Sequence, residues 1–361
     1  MRWTVPAAAG LLVVAGAALG TAGVSADAGL PPKTAAELLV DVQSAEEGPI
    51  SGTVQVFADL GLPDLSMLGS AGSTDLTSLL SGTHTLRVWS DGADKARVDL
   101  LAERSEYDVV VNGQDVWMWD SSTSTAEHYV MSEHSSDMKK SSDVTSMTPP
   151  TTPQEAAELA LASLDPTTEV SVSGSGSVAG RSVYELSLTP RQQGTKIARV
   201  VLSIDSETDA PLRVRVFSTD TQAPAFDIGF TSVDFSRPDA SVFAFTPPPG
   251  AEVTEHTGEK SDMGAKPTDA SAGQPTMVGE GWTSVVVATM PSEQPTGQTS
   301  EDASAAGSAA NLMQILPEVS GPWGSGYLLD GTLFSAIITD DGRVAVGAVT
   351  PELLESALAL Q

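Results

Sequence analysis

Between Ile197 and Val253 the chain writes three alternating runs and then a proline stop, and no other stretch constrains the fold as much. Ala198, Val200, Leu202 and Ile204 share one face of the first run. In the second, Leu212, Val214 and Val216 oppose Arg213 and Arg215; in the third, Phe226, Ile228 and Phe230 oppose Asp227 and Thr231. A period of two over successive runs predicts a half-buried antiparallel sheet, because side chains alternate across the pleat. Residues 205–211 supply turn formers and put Pro211 at the entry of the next strand, where a missing N–H costs the ladder nothing. Phe243-Ala244-Phe245-Thr246-Pro247-Pro248-Pro249-Gly250 then closes the unit.

The residues before this stretch supply the rest of such a sheet and two helices to cover it. Thr34-Ala35-Ala36-Glu37 is a capping-box sequence, and Ala35, Leu38, Leu39 and Val42 fall on one helical stripe that Gly48-Pro49 ends. A strand follows with Ile50, Gly52, Val54 and Val56 on one face. Residues 84–89 and 96–101 read as two more strands around Ser90-Asp91-Gly92. Tyr107 to Trp119 reads as a hairpin turning at Asn112-Gly113, with Trp117 and Trp119 on one face and Val116 and Met118 on the other. After a Ser-rich linker over 133–150, Thr152-Pro153-Gln154-Glu155 opens a second capped helix that Asp165-Pro166 stops. Strands over 169–173 and 182–189 complete the set, the latter with Tyr184, Leu186 and Leu188 in line.

One connection breaks the regular pattern. Residues 60–81 are rich in Gly and Ser, yet they carry Leu62, Leu65, Met67, Leu68, Leu76, Leu79 and Leu80. A solvated loop has no use for so many leucines, so this one is either a flap over an apolar cavity or a short helix docked in the core.

Charge and composition exclude several classes of function. Lys and Arg number 18 against 47 Asp and Glu, a formal charge of −29, which opposes nucleic-acid wrapping and adhesion to an anionic membrane. Cysteine is absent, so disulfides, thiolate metal sites, a cysteine nucleophile and a lipidated cysteine are all ruled out. His84, His128, His134 and His256 have no metal-ligand spacing, and neither a nucleophile elbow nor a phosphate-binding loop is written. Gly174-Ser175-Gly176-Ser177-Val178-Ala179 matches a dinucleotide fingerprint, but strand-like residues follow where a helix is required. No cofactor is implied, and catalysis is the disfavoured class.

Residues 1–26 have the form of an export signal, with Val24-Ser25-Ala26 offering small residues for cleavage before Asp27. The same apolar run is long enough to serve as an uncleaved anchor. Either way the remainder is expected outside the cytoplasm, secreted or held at the outer face of the cytoplasmic membrane.

After Val253 the composition turns to Gly, Ser, Lys, Asp and Pro, a linker over 254–277. Residues 278–361 are expected to form a small α+β domain. It has a strand over 278–289, a low-complexity and disordered insertion at 290–310, a hairpin around Asp340-Asp341-Gly342, and a final helix opened by Thr350-Pro351-Glu352.

The residues 202–205, Pro211-Leu212-Arg213, 226–235 and 243–250 together resemble the closing strands of the LolA/LolB-type lipoprotein carrier superfamily, over roughly residues 33–253. The resemblance implies an α+β fold in which a curved antiparallel half-barrel wraps around helices and holds lipid or lipoprotein acyl chains without catalysis. Burying a methylene is worth about 0.8 kcal/mol, so a chain of about fourteen carbons contributes on the order of 10 kcal/mol. The apolar cleft is assigned to Val54, Val56, Leu86, Val88, Trp117, Trp119, Tyr184 and Leu186. Loop 60–81, with Leu62, Leu65, Met67, Leu68, Leu76, Leu79 and Leu80, is the candidate lid, the docked short helix being the other reading of it.

The final domain, with Val344-Ala345-Val346-Gly347 leading into Thr350-Pro351-Glu352, resembles the second domain of RseB/MucB-type regulators. That likeness implies an alternative in which the cleft senses lipid or misfolded envelope protein and the last domain binds a membrane-associated receptor or anti-sigma factor. A third alternative is a structural exported domain with a filled core.

Overall fold

The computed structural model describes residues 29–45, 48–62, 76–92, 94–102, 104–131, 149–162, 164, 166–257, 275–289 and 315–360. Helix α1 (Ala35–Ser44) begins on the expected capping box, with Thr34 and Glu37 bonding each other's backbone N–H. Strand β1 (Ile50–Asp59) follows, then a 3-10 turn (Leu76–Leu80) and β2 (Ser81–Ser90), β3 (Lys95–Leu101), β4 (Glu106–Asn112), β5 (Asp115–Asp120) and β6 (Thr125–Val130). Helix α2 (Pro153–Ala162) precedes β7 (Thr168–Val178), β8 (Arg181–Pro190), β9 (Ile197–Asp205), β10 (Pro211–Ser218), β11 (Pro224–Asp234) and β12 (Glu252–Thr257). These twelve strands make one curved, unclosed sheet in the order β12-β6-β5-β4-β3-β2-β1-β11-β10-β9-β8-β7.

The sheet is an open half-barrel because its ends, β12 and β7, do not meet. Its inner face is the apolar register of every run read from the sequence: Val54 lies opposite Leu86 and Phe230, Ile228 opposite Val214, and Val214 opposite Leu202, which lies opposite Leu186. Leu38 and Val42 of α1 and Ala156 and Ala157 of α2 pack on this face. Burying a large aliphatic side chain contributes about 1.5–3 kcal/mol, so this layer is the main source of stability.

Three departures from the sequence reading have local causes. The Gly174–Ser177 region is the second half of β7, continuous with its first half through a bulge between Val172 and Gly174. The two-residue loop of the β4–β5 hairpin is Gly113-Gln114, because Asn112 pairs with Asp115 and Gly113 takes the positive φ of 68° that such a turn needs. The strand expected over 278–289 is interrupted: β13 (Thr276–Val278) and β14 (Val285–Thr289) flank a 3-10 turn at Gly281–Thr283, with Gly279 and Gly281 at positive φ.

The second sheet contains β13, β14, β15 (Glu318–Gly321), β16 (Gly324–Asp330), β17 (Ser335–Thr339) and β18 (Arg343–Gly347), in the order β13-β14-β18-β17-β16-β15. Helix α3 (Pro351–Ala359) covers one face through Leu354, Ala357 and Leu358, against Val285, Val287, Ile337 and Ala345. The first sheet runs to Thr257, past Val253, where the sequence reading ended that unit. The assigned signal, most of the 133–150 and 254–277 linkers, and the insertion at 290–310 lie outside the described residues.

Candidate functional site

Six of the eight residues assigned to a cleft converge on the inner face. Val54 and Val56 on β1, Leu86 and Val88 on β2, and Tyr184 and Leu186 on β8 belong to one core and are at most 5% exposed. The Tyr184 hydroxyl donates to the Pro31 carbonyl at 2.8 Å, tying β8 to the chain entering α1. Lys33 lies over the Tyr184 ring and bonds Asp41 and Asp209, which fastens α1 to the β9–β10 turn. In this conformation the six are packed in one core with Leu38, Val42, Leu79, Ala156 and Ala157 rather than open to solvent.

Trp117 and Trp119 do not join them. Val88 lies opposite Val98, Val98 opposite Val109, and Val109 opposite Met118, so Met118 shares the inner face and the tryptophans take the outer one. There Trp119, 7% exposed, and Trp117 meet Phe245 at ring distances of 6.4 and 5.4 Å. The chain leaving β11 crosses this outer face to reach β12, burying Phe243 on the way. Both alternations of β5 are apolar, so its own sequence does not say which one faces inward; the register passed from β2 through β3 and β4 does.

The lid is only partly described. Leu79 is fully buried in the core, Leu62 and Leu80 are half-buried, and the Leu76 backbone lies in the 3-10 turn. Leu65, Met67, Leu68 and the Leu76 side chain lie outside the described residues. The segment next to β2 is thus a docked helical turn.

Among the described residues of the first sheet and its helices, two apolar surfaces remain accessible. The inner face continues over β3–β5 through half-buried Val98, Tyr107, Val109 and Met118. Between α1 and α2 lies a groove of about 390 Å³, with Val42, Ala157, Leu161 and Pro211 on its walls and Gln43, Gln154 and Glu158 at its polar side. Val42, Ala157 and Leu161 also touch the core, so parting the helices would lead from this groove to Leu186 and its neighbours. The volume falls within the range of small-ligand sites.

The polar clusters lie elsewhere. On the outer face Arg97 bonds Asp99 at 2.6 Å and Asp108 at 3.0 Å, and Asp108 is 3% exposed. Burial, reinforced by the charge of Asp99, outweighs Arg97 and pushes the Asp108 carboxyl up to about 7. Asp205, fully buried, is held below the usual carboxylate range despite burial, because Arg181 and the Thr208 and Glu207 amides all bond it. Among the described residues no group of three His, Cys, Asp or Glu side chains could hold a metal ion.

Fold and site together define an open antiparallel half-barrel that packs two helices against its inner face, followed by a smaller α+β unit. No family model matches the sequence, and no curated protein matches it. Among solved structures, the Pseudomonas aeruginosa MucA/MucB complex is similar at 15% identity and a TM-score of 0.45, covering 90% of this chain and 96% of that one. An uncharacterized conserved protein from Thermus thermophilus is similar at 16% identity and a TM-score of 0.35, over 62% of this chain and 99% of the other. A LolA superfamily protein from Nitrosomonas europaea is similar at 11% identity and a TM-score of 0.23, over 59% and 99%. At these identities and TM-scores the likenesses do not transfer an activity, a ligand or a partner.

Proposed function

We propose that the protein is a non-catalytic extracytoplasmic carrier that takes an acyl chain of a lipid or lipoprotein between its helix pair and the inner face of its half-barrel. The observation that carries this reading is the groove between α1 and α2, whose apolar walls are continuous with the core. An acyl chain entering there trades water for aliphatic contact at each methylene, with no charge to desolvate. The half-buried surface of Val98, Val109 and Met118 extends the same face and offers room for the far end of the chain. Release needs only a receiving membrane or protein that competes for the acyl chain. No helix among the described residues is long and apolar enough to cross a membrane.

Native mass spectrometry of protein purified from its own envelope tests the reading. An acyl-bearing ligand is expected, and Leu161→Trp, on the half-buried groove wall, should weaken its retention by at least about tenfold, or 1.4 kcal/mol. Trp117→Ala, on the opposite face, should leave retention unchanged. Protein that arrives empty and exchanges no acyl ligand would sink the proposal.

A second reading is favoured by one feature of the second sheet. Met277, Val286, Val346, Ala336 and Leu329 form an uncharged row across five strands on the face away from α3, and none of them belongs to either core. Strands that are apolar on both faces are ordinarily covered on both. A sensor whose second unit engages a membrane-associated partner, such as an anti-sigma factor, would use this face. Crosslinking in the native envelope should then lose that partner on Val346→Glu while acyl occupancy persists.

A further inference from the structure

The far edge of the first sheet is closed by a strand that runs against the pattern. β12 pairs with β6 in parallel, Glu252 beside Thr125 through Thr257 beside Val130, whereas the other described pairs of this sheet are antiparallel. Its residues are largely exposed, and it is the last element of the first sheet before the chain enters the second. A six-residue edge strand of this kind buries little apolar surface, so side-chain contacts decide whether it stays.

Those contacts centre on two histidines. On the outer side, His128 Nδ1 lies 2.7 Å from Glu255 Oε2 on β12, and its Nε2 lies 3.0 Å from Asp115 Oδ1 on β5. Its ring stacks on Trp117 at 4.0 Å and 7°. On the inner side His256 of β12 stacks on Tyr129 of β6 at 4.2 Å and 5°, with its Nε2 3.7 Å from Glu127 Oε2, and the Tyr129 hydroxyl donates to Glu127 at 2.6 Å.

A carboxylate only accepts, so both His128 contacts are hydrogen bonds only when both ring nitrogens carry a proton. The neutral ring has one donor; its other nitrogen then sets a lone pair against a carboxylate. Among the described residues, Asp115 and Glu255 have no other ion-pair partner, and no Lys or Arg pairs with either of them to replace the lost proton. We propose that β12 is a proton-operated latch: imidazolium at His128 holds the strand on β6, and the neutral ring lets it go.

The charge balance agrees in direction. Burial opposes protonation, but Glu255 and Asp115 outweigh it and hold the His128 pKa above the ordinary imidazole value. The stabilisation is therefore fully present below the unfolded-state pKa and is lost as pH rises through the higher folded-state value. This latch stands apart from the ligand reading and needs no bound lipid.

Hydrogen exchange of the amides of residues 252–257 in the full chain, at about pH 5 and about pH 8.5, reads the latch directly. After correction for intrinsic rates, protection should fall by at least about tenfold at the higher pH, or about 1.4 kcal/mol. Trp117 fluorescence should rise over the same transition as the stacked imidazolium is lost. Glu255→Gln can donate its amide N–H to the neutral ring, so it should keep β12 protected at both pH values. His128→Gln should remove the pH dependence, while His256→Gln should retain it. Wild-type protection that is flat with pH, or a Glu255→Gln protein that keeps the full dependence, would overturn the proposal.

Discussion

Asp108 is the residue at which burial and charge are most finely balanced. It is nearly enclosed on the outer face, shares Arg97 with Asp99, and leaves one carboxylate oxygen without a partner. With its pKa pushed up to about 7, the folded chain binds a proton there that the unfolded chain has already released. Stability must therefore fall as pH rises from the ordinary carboxylate range through about 7. Asp108→Asn should remove that slope and raise stability at about pH 8 by roughly 1 kcal/mol or more, read as the shift in a urea midpoint. Arg97→Met should act oppositely, because it strands two carboxylates that a half-buried guanidinium now pairs. In the sequence Asp108 is one carboxylate among 47 acidic residues. The strand register that sets it opposite Asp99 makes it distinctive.

At the scale of elements, helix α1 and hairpin β4–β5 show which local signals suffice. The capping box at Thr34 is a short-range motif whose partners lie three residues apart, and it forms as written. Thr34→Ala should cost about 1 kcal/mol in thermal unfolding, the ordinary value of a lost N-cap. The hairpin was equally legible as a hairpin, yet the assignment of Trp117 and Trp119 to the cleft does not hold. Both faces of β5 are apolar, and the outer one is covered by a chain segment that arrives from β11, more than a hundred residues later. Trp119→Ala should cost about 3–5 kcal/mol by opening a cavity beneath Phe245. It should leave acyl retention unchanged, because the lost contact is on the outer face. Native mass spectrometry alongside a denaturation curve separates the two effects.

At the scale of the molecule, the two sheets are fastened to each other. Trp282, from the turn before β14, is buried in the core of the first sheet, and its indole N–H donates to Thr168 Oγ1 at 2.7 Å. Gln192 accepts from the Trp282 amide and donates to the Glu280 carbonyl. Buried Lys196 donates to the Gly331 carbonyl at 2.7 Å and pairs with Asp330, and Thr332 N–H donates to Leu60 at the end of β1. The approach at this last contact is close: a Cβ on Gly331 would sit 2.8 Å from the Leu60 carbonyl oxygen. Trp282→Ala should cost about 3–5 kcal/mol and separate calorimetric unfolding into two transitions, one for each sheet. A single unchanged transition would show that the units are coupled by other means.

The sequence by itself determined the antiparallel sheet, the two capped helices, the final helix and the apolar identity of the inner face, because periodicity, caps and turn residues act over a few positions. It also placed Val54, Val56, Leu86, Val88, Tyr184 and Leu186 on one surface, since each lies in a strand with a single apolar face. Only the tertiary structure decided that these six are closed in a core shared with α1, α2 and Leu79, that the tryptophans face outward, and that accessible apolar surface lies in the groove between the helices and along β3–β5. It alone brought His128 between Asp115 and Glu255 and carried Trp282 into the other unit's core. Those outcomes depend on register and on contacts between residues far apart in the chain, and neither leaves a local pattern to read.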